Sequence, residues 1–237
     1  LGIGFDFTHY TTVPPLHEFT ASLLEKMSKP ECTGVIIQHP LPTGYDIETI
    51  YNVVPSQKEI EGHKKNSPFQ FPLSLAVLTG IKYIFAYHKA GKDLDKNIIV
   101  DFQNDMSFFK EILQDKKIVI AGRGSTGGRP IGECLHEIGV HFEIVHSQTT
   151  NSHELYKSAD IIITATGKHI IDPSLIRKGV ILLNVGLRKE NGKLKGDYNE
   201  DEIIDFASYY TQTPGGLGPL DVLYLYKNLI DSVTFSY

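Results

Sequence analysis

Residues 117–130 read KIVIAGRGSTGGRP and decide the fold. An apolar strand leads directly into a turn that carries Gly122, Gly124 and Gly127 in the pattern G-x-G-x-x-G, and Pro130 lies where a helix can begin. Glycines lack the Cβ atom that keeps a ligand away from the backbone, and the amides at a helix N-terminus attract anions. A tight strand-to-helix turn without a ligand is the alternative. The strand, turn and helix context favours a dinucleotide-binding turn.

Three more apolar runs follow this turn, at residues 142–145, 160–165 and 180–185. Near-continuous apolar strands that alternate with helices are typical of a parallel sheet covered on both faces. We therefore predict a Rossmann-like, doubly wound parallel-sheet lobe in the second half of the chain.

The first half of the chain also alternates between strands and helices. Residues 2–7 and 33–37 have the character of strands, whereas residues 16–27, 46–54 and 74–89 carry apolar residues at helical spacing. This order predicts an N-terminal α/β lobe, with a cleft between it and the second lobe.

The composition is that of an ordinary globular protein, with 237 residues, 41% hydrophobic and 22% charged residues, and a formal net charge of −5. This mild acidic excess argues against nucleic acid as a partner and against a basic membrane-binding patch. No apolar run approaches the roughly 18 residues that cross a bilayer, so no membrane segment is expected.

Two cysteines, Cys32 and Cys134, are too few for a disulfide scaffold and indicate a reducing compartment such as the cytoplasm. Most of the ten histidines lack a Cys, His or carboxylate partner at metal-ligand spacing, so we predict no metal site.

The end of the second strand bears on the choice of dinucleotide. An acidic residue at this point would grip a ribose hydroxyl and indicate NAD, but the run at residues 142–145 ends in His146-Ser147-Gln148-Thr149. Arg123 on the glycine turn can instead reach a 2′-phosphate, with Ser147 as a hydroxyl partner. The sequence therefore favours NADP, with NAD as the alternative and a solvated Arg123 as the competing interpretation.

Ordered motifs along the chain match those of a known family. The family motif Q-x-P-L-P is similar to residues 38–42, and P-x-K-D-V-D-G is similar to residues 55–62, where Glu59 and Glu61 replace both aspartates. Further matches are G-R-S-x-x-V-G-x-P at residues 122–130, H-S-x-T at 146–149, A-D-I through A-x-G at 159–167, V-G-I at 185–187, G-D-V at 196–198 and T-P-V-P-G-G-V-G-P-M-T at 211–221. On these motifs the chain resembles the methylenetetrahydrofolate dehydrogenase/methenyltetrahydrofolate cyclohydrolase family.

The resemblance implies an enzyme of one-carbon metabolism. It would oxidise 5,10-methylenetetrahydrofolate to 5,10-methenyltetrahydrofolate with NADP and hydrolyse the product to 10-formyltetrahydrofolate, which serves purine biosynthesis. It would act as a cytoplasmic homodimer on tetrahydrofolate derivatives. The expected domains are a folate-binding catalytic lobe at residues 1–90, a connector or surface insertion at 91–116, an NADP-binding Rossmann-like domain at 117–212, and a C-terminal helix at 213–237 that packs back on the first lobe.

The resemblance also assigns site residues by position. Gln38 and Glu61 are the catalytic candidates, and both are expected to bind the folate together with Pro40, Leu41, Pro214, Gly215 and Gly216. The expected cofactor-binding residues are Gly122, Arg123, Gly124, Ser125, Gly128, His146, Ser147, Thr149, Thr166, Gly167 and Leu187.

Departures from the family pattern leave two alternatives open. The family's Tyr-x-x-x-Lys pair falls before Leu1, and its P-C-T-P segment is reduced to Pro72-Leu73-Ser74-Leu75. A monofunctional dehydrogenase and an inactive NADP-binding pseudoenzyme are therefore the alternatives. If translation begins at Leu1, we expect a protein that binds NADP but forms no methenyl product.

Overall fold

The computed structural model describes residues 2–88 and 98–234 and divides into two compact units. The first unit comprises the described residues of Leu1–Phe69 and Asn228–Tyr237, and the second comprises those of Gln70–Lys227. The helices are α1 (Leu16–Met27), α2 (Ile47–Val53), α3 (Pro72–Lys82), α4 (Phe102–Leu113), α5 (Gly128–Ile138), α6 (Ser152–Ser158), α7 (Glu200–Ile203) and α8 (Gly218–Thr234), with a π-helical segment at Tyr83–His88 and a 3-10 turn at Pro173–Leu175. The strands are β1 (Ile118–Ala121), β2 (Glu143–Val145), β3 (Ile161–Thr164), β4 (Ile181–Asn184), β5 (Arg188–Glu190), β6 (Lys193–Lys195) and β7 (Tyr209–Tyr210).

The second unit contains a five-stranded parallel sheet in the order β2-β1-β3-β4-β7. All four residues of each of the strands β1, β3 and β4 are buried, which accounts for their continuous apolar sequences. The edge strand β2 leaves Glu143 and Ile144 exposed. The predicted parallel sheet is confirmed.

Alternate residues of these strands pack in two separate hydrophobic cores. Ile118 and Ile120 pack in one cluster with apolar residues of α3, α4 and α5, whereas Val119 and Ala121 pack in another with residues of α6 and α7. Successive strand residues point to opposite faces of a sheet, so both faces of this sheet are covered. This is the doubly wound arrangement that the sequence predicts.

The first unit is built on α1 and α2. Their apolar faces enclose a smaller core that includes Met27, Ile50, Tyr51 and Val54. The Asp46 carboxylate accepts a hydrogen bond from the Thr49 amide at 2.8 Å and so caps α2.

The last part of α8 belongs to the first unit. The Asn228 side-chain amide donates to the Ile60 carbonyl at 2.9 Å, and the Ser232 hydroxyl lies 3.3 Å from the Thr33 carbonyl oxygen. The end of the C-terminal helix therefore packs in the first unit, whereas the predicted domain boundary at residue 213 stays a prediction.

The predicted strand at residues 2–7 is wrong. Within the described part of the chain this segment pairs with no strand, and the side chains of Phe5 and Phe7 are 78% and 69% exposed. Alternation alone does not make a strand, because a strand needs a partner for its backbone groups. The predicted strand at residues 33–37 is reduced to one bridge between Val35 and Glu59.

The predicted connector at residues 91–116 contains part of the core. Residues 89–97 lie outside the described residues, but α4 confirms the helix expected in this stretch. Phe109 and Leu113 on α4 are fully buried among the residues of the second unit, so the helix is not a surface insertion. The four-part domain division stays a prediction, and the compact units have different boundaries because α3 and α4 pack against the sheet.

Tyr224 organises the core on the side of α3. Its hydroxyl accepts a hydrogen bond from the Val100 amide at 2.7 Å and lies 2.5 Å from the Thr79 hydroxyl, which itself donates to the Leu75 carbonyl.

We expect Tyr224→Phe to lower the free energy of unfolding by about 1–3 kcal/mol, because it leaves a buried amide without an acceptor. Urea denaturation measures this loss. Tyr226→Phe, at a 43% exposed position of the same helix, is the matched control, and equal losses in both variants would contradict the assignment.

Candidate functional site

The glycine turn between β1 and α5 has room for a side chain at its tip but not at its base. Gly122 has φ 110°, and a Cβ atom there would lie 2.5 Å from the Ala165 carbonyl oxygen. A Cβ atom on Gly128 would overlap the Gly122 carbonyl oxygen. Gly124, by contrast, has no atom within 4 Å of its Cβ position. The turn therefore packs tightly at its base and leaves open space at its tip.

The tip of this turn exposes backbone amides. The Gly124 carbonyl accepts hydrogen bonds from the Gly127 and Arg129 amides at 3.2 and 3.1 Å, which close the turn. Within the described residues, the amides of residues 123–126 donate to no protein acceptor. They lie ahead of α5, an 11-residue helix whose N-terminus carries partial positive charge. This arrangement fits a dinucleotide phosphate, because it offers several amide donors with no side chain in the way.

The carboxyl ends of the parallel strands bring the other predicted cofactor residues to the same edge. Ala121 on β1 pairs with Val145 on β2 and with Thr164 on β3, and Thr164 pairs with Asn184 on β4. The segments that follow these strands therefore leave the sheet together. They contain the glycine turn, residues 146–149, Thr166 with Gly167, and Leu187, whose side chain is 58% exposed.

Residues 146–149 form a turn in which two of the predicted side chains serve the turn itself. The Thr149 hydroxyl accepts from the His146 amide at 3.0 Å, and the Nδ1 atom of His146 accepts from the Gln148 amide at 3.2 Å. A ring nitrogen that accepts a hydrogen bond carries no proton, so the proton of the neutral ring sits on Nε2. Ser147 is exposed at the tip, as is Arg123 on the neighbouring turn.

Asp197 is a buried carboxylate that was not singled out as a site residue from sequence. Its Oδ2 atom accepts from the Thr166 amide at 2.7 Å and from the Thr166 hydroxyl at 2.9 Å, and its Oδ1 atom accepts from the Lys168 amide at 3.1 Å. The carboxylate fits because position 186 is glycine, where a Cβ atom would overlap it. Asp197 thus holds the loop that carries Thr166 and Gly167.

Asn184 connects this loop to the segment that precedes Pro214. Its side-chain oxygen accepts from the Thr164 hydroxyl at 2.9 Å and from the Asp197 amide at 2.8 Å. Its side-chain nitrogen donates to the Gly186 carbonyl at 2.8 Å and to the Thr213 hydroxyl at 3.0 Å. The predicted residues Pro214, Gly215 and Gly216 follow directly and are exposed.

In the first unit, the Glu61 side chain is bonded to the backbone of Ile37, the residue that precedes Gln38. The Oε2 atom of Glu61 accepts from the Ile37 amide at 2.9 Å and from the Tyr51 hydroxyl at 3.1 Å, so Gln38 is the next residue along. The Gln38 side-chain amide donates to the His39 carbonyl at 3.0 Å. Pro40 is exposed, whereas Leu41 packs partly against the core of this unit.

A second buried carboxylate, Glu59, anchors the loop that carries Glu61. It is 1% exposed and accepts from the amides of Glu61, His63 and Lys64 at 3.0, 3.2 and 3.3 Å. Burial raises the pKa of Glu59, and the surrounding amide donors oppose that effect.

Two histidines surround Tyr51 and were considered from sequence only as metal ligands. The ring centroid of Tyr51 lies 4.5 Å from that of His63 and 6.4 Å from that of His39. Burial lowers the pKa of His39, and burial together with the nearby His39 lowers the pKa of His63 to about 4. Both rings are therefore neutral at pH 7. In the described part of the chain, no three His, Cys, Asp or Glu side chains are placed to hold a metal ion.

The parallel sheet and the glycine turn at its carboxyl edge define a Rossmann-like α/β protein. The particular family follows from comparison with known proteins, because residues 106–237 match the family model described as "Tetrahydrofolate dehydrogenase/cyclohydrolase, NAD(P)-binding domain". This match covers more than half of the chain. The chain belongs to the tetrahydrofolate dehydrogenase/cyclohydrolase family, and the resemblance found in the sequence motifs is confirmed.

Relatives support the same family. "Bifunctional protein FolD 2" of Lactobacillus johnsonii is 30% identical over 221 residues, which are 91% of this chain and 73% of the relative. "Bifunctional protein FolD" of Mycoplasma genitalium is 34% identical over 200 residues, which are 83% of this chain and 64% of the relative.

Solved structures share the fold. The bifunctional 5,10-methylenetetrahydrofolate dehydrogenase/cyclohydrolase of Thermoplasma acidophilum has a TM-score of 0.74 at 20% identity and covers 97% of this chain and 77% of its own. The Trypanosoma brucei enzyme, complexed with NADP cofactor and inhibitor, has a TM-score of 0.67 at 22% identity and covers 94% of this chain and 74% of its own. Among the helices of the described residues, none is both long and apolar enough to span a membrane.

The role of Asp197 can be measured by substitution. We expect Asp197→Asn to lower the free energy of unfolding by about 2–3 kcal/mol, because the new NH₂ group faces amide and hydroxyl donors. Chemical denaturation measures the change, and Asp205→Asn at an exposed position of the same unit is the control. An unchanged stability in D197N would show that the carboxylate does not hold the loop.

The neutral state of His63 predicts a pH-dependent stability. An unfolded histidine gains a proton below about pH 6.5, whereas folded His63 gains one only near its pKa of about 4, so stability is lost as pH falls from 6.5 towards 4. We expect the stability advantage of the wild type over His63→Gln to shrink by about 1–2 kcal/mol between pH 7 and pH 4.5, after allowance for partial exposure of the ring. Denaturation at a series of pH values tests this. A stability difference between the wild type and His63→Gln that stays constant with pH would contradict the neutral state of His63.

Proposed function

We propose that this protein oxidises 5,10-methylenetetrahydrofolate to 5,10-methenyltetrahydrofolate with NADP and hydrolyses the product to 10-formyltetrahydrofolate. The observation that carries this proposal is the glycine turn, which exposes several amides ahead of α5 in a chain that belongs to the tetrahydrofolate dehydrogenase/cyclohydrolase family. The names of the relatives, which describe bifunctional proteins, support both reactions.

The second unit is proposed to bind NADP. The backbone of the turn from Gly122 to Gly128, with the hydroxyl of Ser125, would hold the pyrophosphate. Arg123 and Ser147 would hold the 2′-phosphate, since both are exposed and no carboxylate follows β2 to compete for a ribose hydroxyl. When bound, NADP accepts the hydride from the folate.

The remaining cofactor residues are proposed to act mainly through their backbone. His146 and Thr149 shape their own turn, and Asp197 holds Thr166 and Gly167 in place. Leu187 offers an exposed apolar side chain beside this loop for the flat surface of a ring. The alternative cofactor is NAD, which lacks the 2′-phosphate.

The first unit is proposed to bind the folate through Glu61 and Gln38. A carboxylate accepts two N–H groups from the edge of an aminopyrimidine ring, and a side-chain amide both donates and accepts. Pro40 and Leu41 extend this surface next to Gln38. The assignment of Pro214, Gly215 and Gly216 to folate binding stays a prediction from the family resemblance. We also predict that the protein is a cytoplasmic homodimer and that its product serves purine biosynthesis.

A monofunctional dehydrogenase is the second candidate function, because positions 59 and 61 carry glutamate instead of the aspartates of the family motif. Both side chains are one methylene longer than the aspartates of the family motif, and Glu61 is already held by Ile37 and Tyr51. A folate held slightly differently would affect hydrolysis more than hydride transfer, since hydrolysis also needs a positioned water.

The proposal is tested by following methenyltetrahydrofolate by its absorbance, with NADP⁺ and then with NAD⁺. When the chain is expressed with the family's Tyr-x-x-x-Lys segment ahead of Leu1, we expect product with NADP⁺. We also expect Arg123→Ala to raise the KM for NADP⁺ about 10- to 100-fold with little effect on NAD⁺, because only NADP⁺ carries the phosphate. Arg129→Ala is the control, since this exposed arginine pairs with Glu133 on α5.

Three outcomes separate the candidates. Formation and subsequent decay of the methenyl product support the bifunctional enzyme, whereas formation without enzyme-dependent decay supports the monofunctional dehydrogenase. Binding of NADP without any product would indicate a pseudoenzyme. A preference for NAD⁺ would contradict the roles proposed for Arg123 and Ser147.

A further inference from the structure

We propose that Tyr51 is a positioning residue for Glu61: its hydroxyl holds the carboxylate in the orientation that receives the folate ring. This inference rests on the proposed function of Glu61 and adds to it a residue that none of the sequence motifs contains. Tyr51 lies on α2, outside the loop that carries Glu61.

Two hydrogen bonds from different segments meet at one oxygen atom of Glu61. Oε2 accepts from the Tyr51 hydroxyl at 3.1 Å and from the Ile37 amide at 2.9 Å. A carboxylate with one oxygen held by two donors from different segments cannot rotate without breaking at least one of these bonds. The plane of the carboxylate is thereby fixed, as recognition of two adjacent N–H groups requires.

Tyr51 is itself a rigid support. Its side chain is 5% exposed and packs in the core of the first unit with Ile50 and Val54. The helix that carries it is capped by Asp46. The hydroxyl of a core tyrosine at the edge of a cluster is therefore a donor with little freedom to move.

The extra methylene of Glu61 explains why a second donor is needed. Glutamate has one more rotatable bond than the aspartate of the family motif, so ordering its side chain costs more conformational entropy. Glu59 fixes the backbone of the loop through its bonds to the amides of Glu61, His63 and Lys64. Tyr51 fixes the side chain, which the backbone contacts of Glu59 do not reach.

The direction of the hydrogen bonds is set by the carboxylate. An ionised carboxylate only accepts, so the Tyr51 hydroxyl donates to Glu61. The tyrosine oxygen can then accept from Nε2 of His39, at the long distance of 3.4 Å. Because both neighbouring histidine rings are neutral at pH 7, neither places a positive charge beside the Tyr51 ring.

A double-mutant cycle tests this inference. We measure the Kd of tetrahydrofolate by calorimetry for the wild type, Tyr51→Phe, Glu61→Asp and the double variant. Tyr51→Phe should raise the Kd about 5- to 20-fold when residue 61 is glutamate, which corresponds to one charge-assisted hydrogen bond. In the E61D background the same change should alter the Kd less than about 2-fold, because the shorter carboxylate does not reach the hydroxyl.

Two further variants provide a control and a second background for this test. Tyr45→Phe removes another tyrosine hydroxyl of the first unit, which donates to the Pro14 carbonyl at 2.5 Å, and should leave the Kd unchanged. Glu61→Gln gives a second background, in which a neutral amide oxygen replaces the carboxylate, so Tyr51→Phe should have a smaller effect than in the wild type. In steady-state assays Y51F should raise the KM for folate with kcat changed less than about 2-fold and the KM for NADP⁺ unchanged.

The outcomes are distinguishable. An equal effect of Y51F in all three backgrounds would mean that Tyr51 only packs the core, and the inference would be overturned. A wild type that binds tetrahydrofolate while Y51F binds it equally well also overturns the inference but leaves the proposed function intact. A wild type that binds no tetrahydrofolate overturns both.

Discussion

Close backbone approach at the carboxyl edge of the parallel sheet is the constraint on which the second unit depends. The base of the glycine turn touches the carbonyl of Ala165, and the start of α5 touches the carbonyl of Gly122, at distances that leave no room for a Cβ atom. The turn is therefore short and rigid at its base, and its amides emerge at the tip, ahead of the helix. The proposed phosphate contact thus follows from the packing of the sheet rather than from any single side chain.

Each unit uses a buried carboxylate to organise a loop. Glu59 gathers three backbone amides in the first unit, and Asp197 gathers two amides and a hydroxyl in the second. Neither carboxylate is proposed to touch a ligand. A carboxylate that accepts several hydrogen bonds in a low-dielectric interior fixes its surroundings strongly. Through the backbone amides of Glu61 and Thr166, the two carboxylates hold these proposed ligand-binding residues in place.

The sequence predicted the features that depend on local pattern. The strands β1, β3 and β4 follow from apolar runs, and the glycine turn follows from its spacing between strand and helix. The β5–β6 hairpin and the two-residue strand β7 were not expected, because short polar or aromatic stretches carry little periodic signal. Asp197 and Tyr51 were missed as site residues for another reason. Their hydrogen-bond partners, Thr166 and Glu61, lie 31 and 10 residues away in the sequence, and only tertiary packing brings them together. The assignments of individual ligand-binding residues stay predictions.

The fit of the Asp197 carboxylate against Gly186 has an evolutionary consequence. The space that a methyl group would need at position 186 is the space that the carboxylate occupies. A larger residue at one position is compatible only with a smaller or displaced one at the other, so the two positions should covary among relatives. A lineage that lost either residue would have difficulty in regaining it by a single reversion, because the remaining partner would already have adapted to the change.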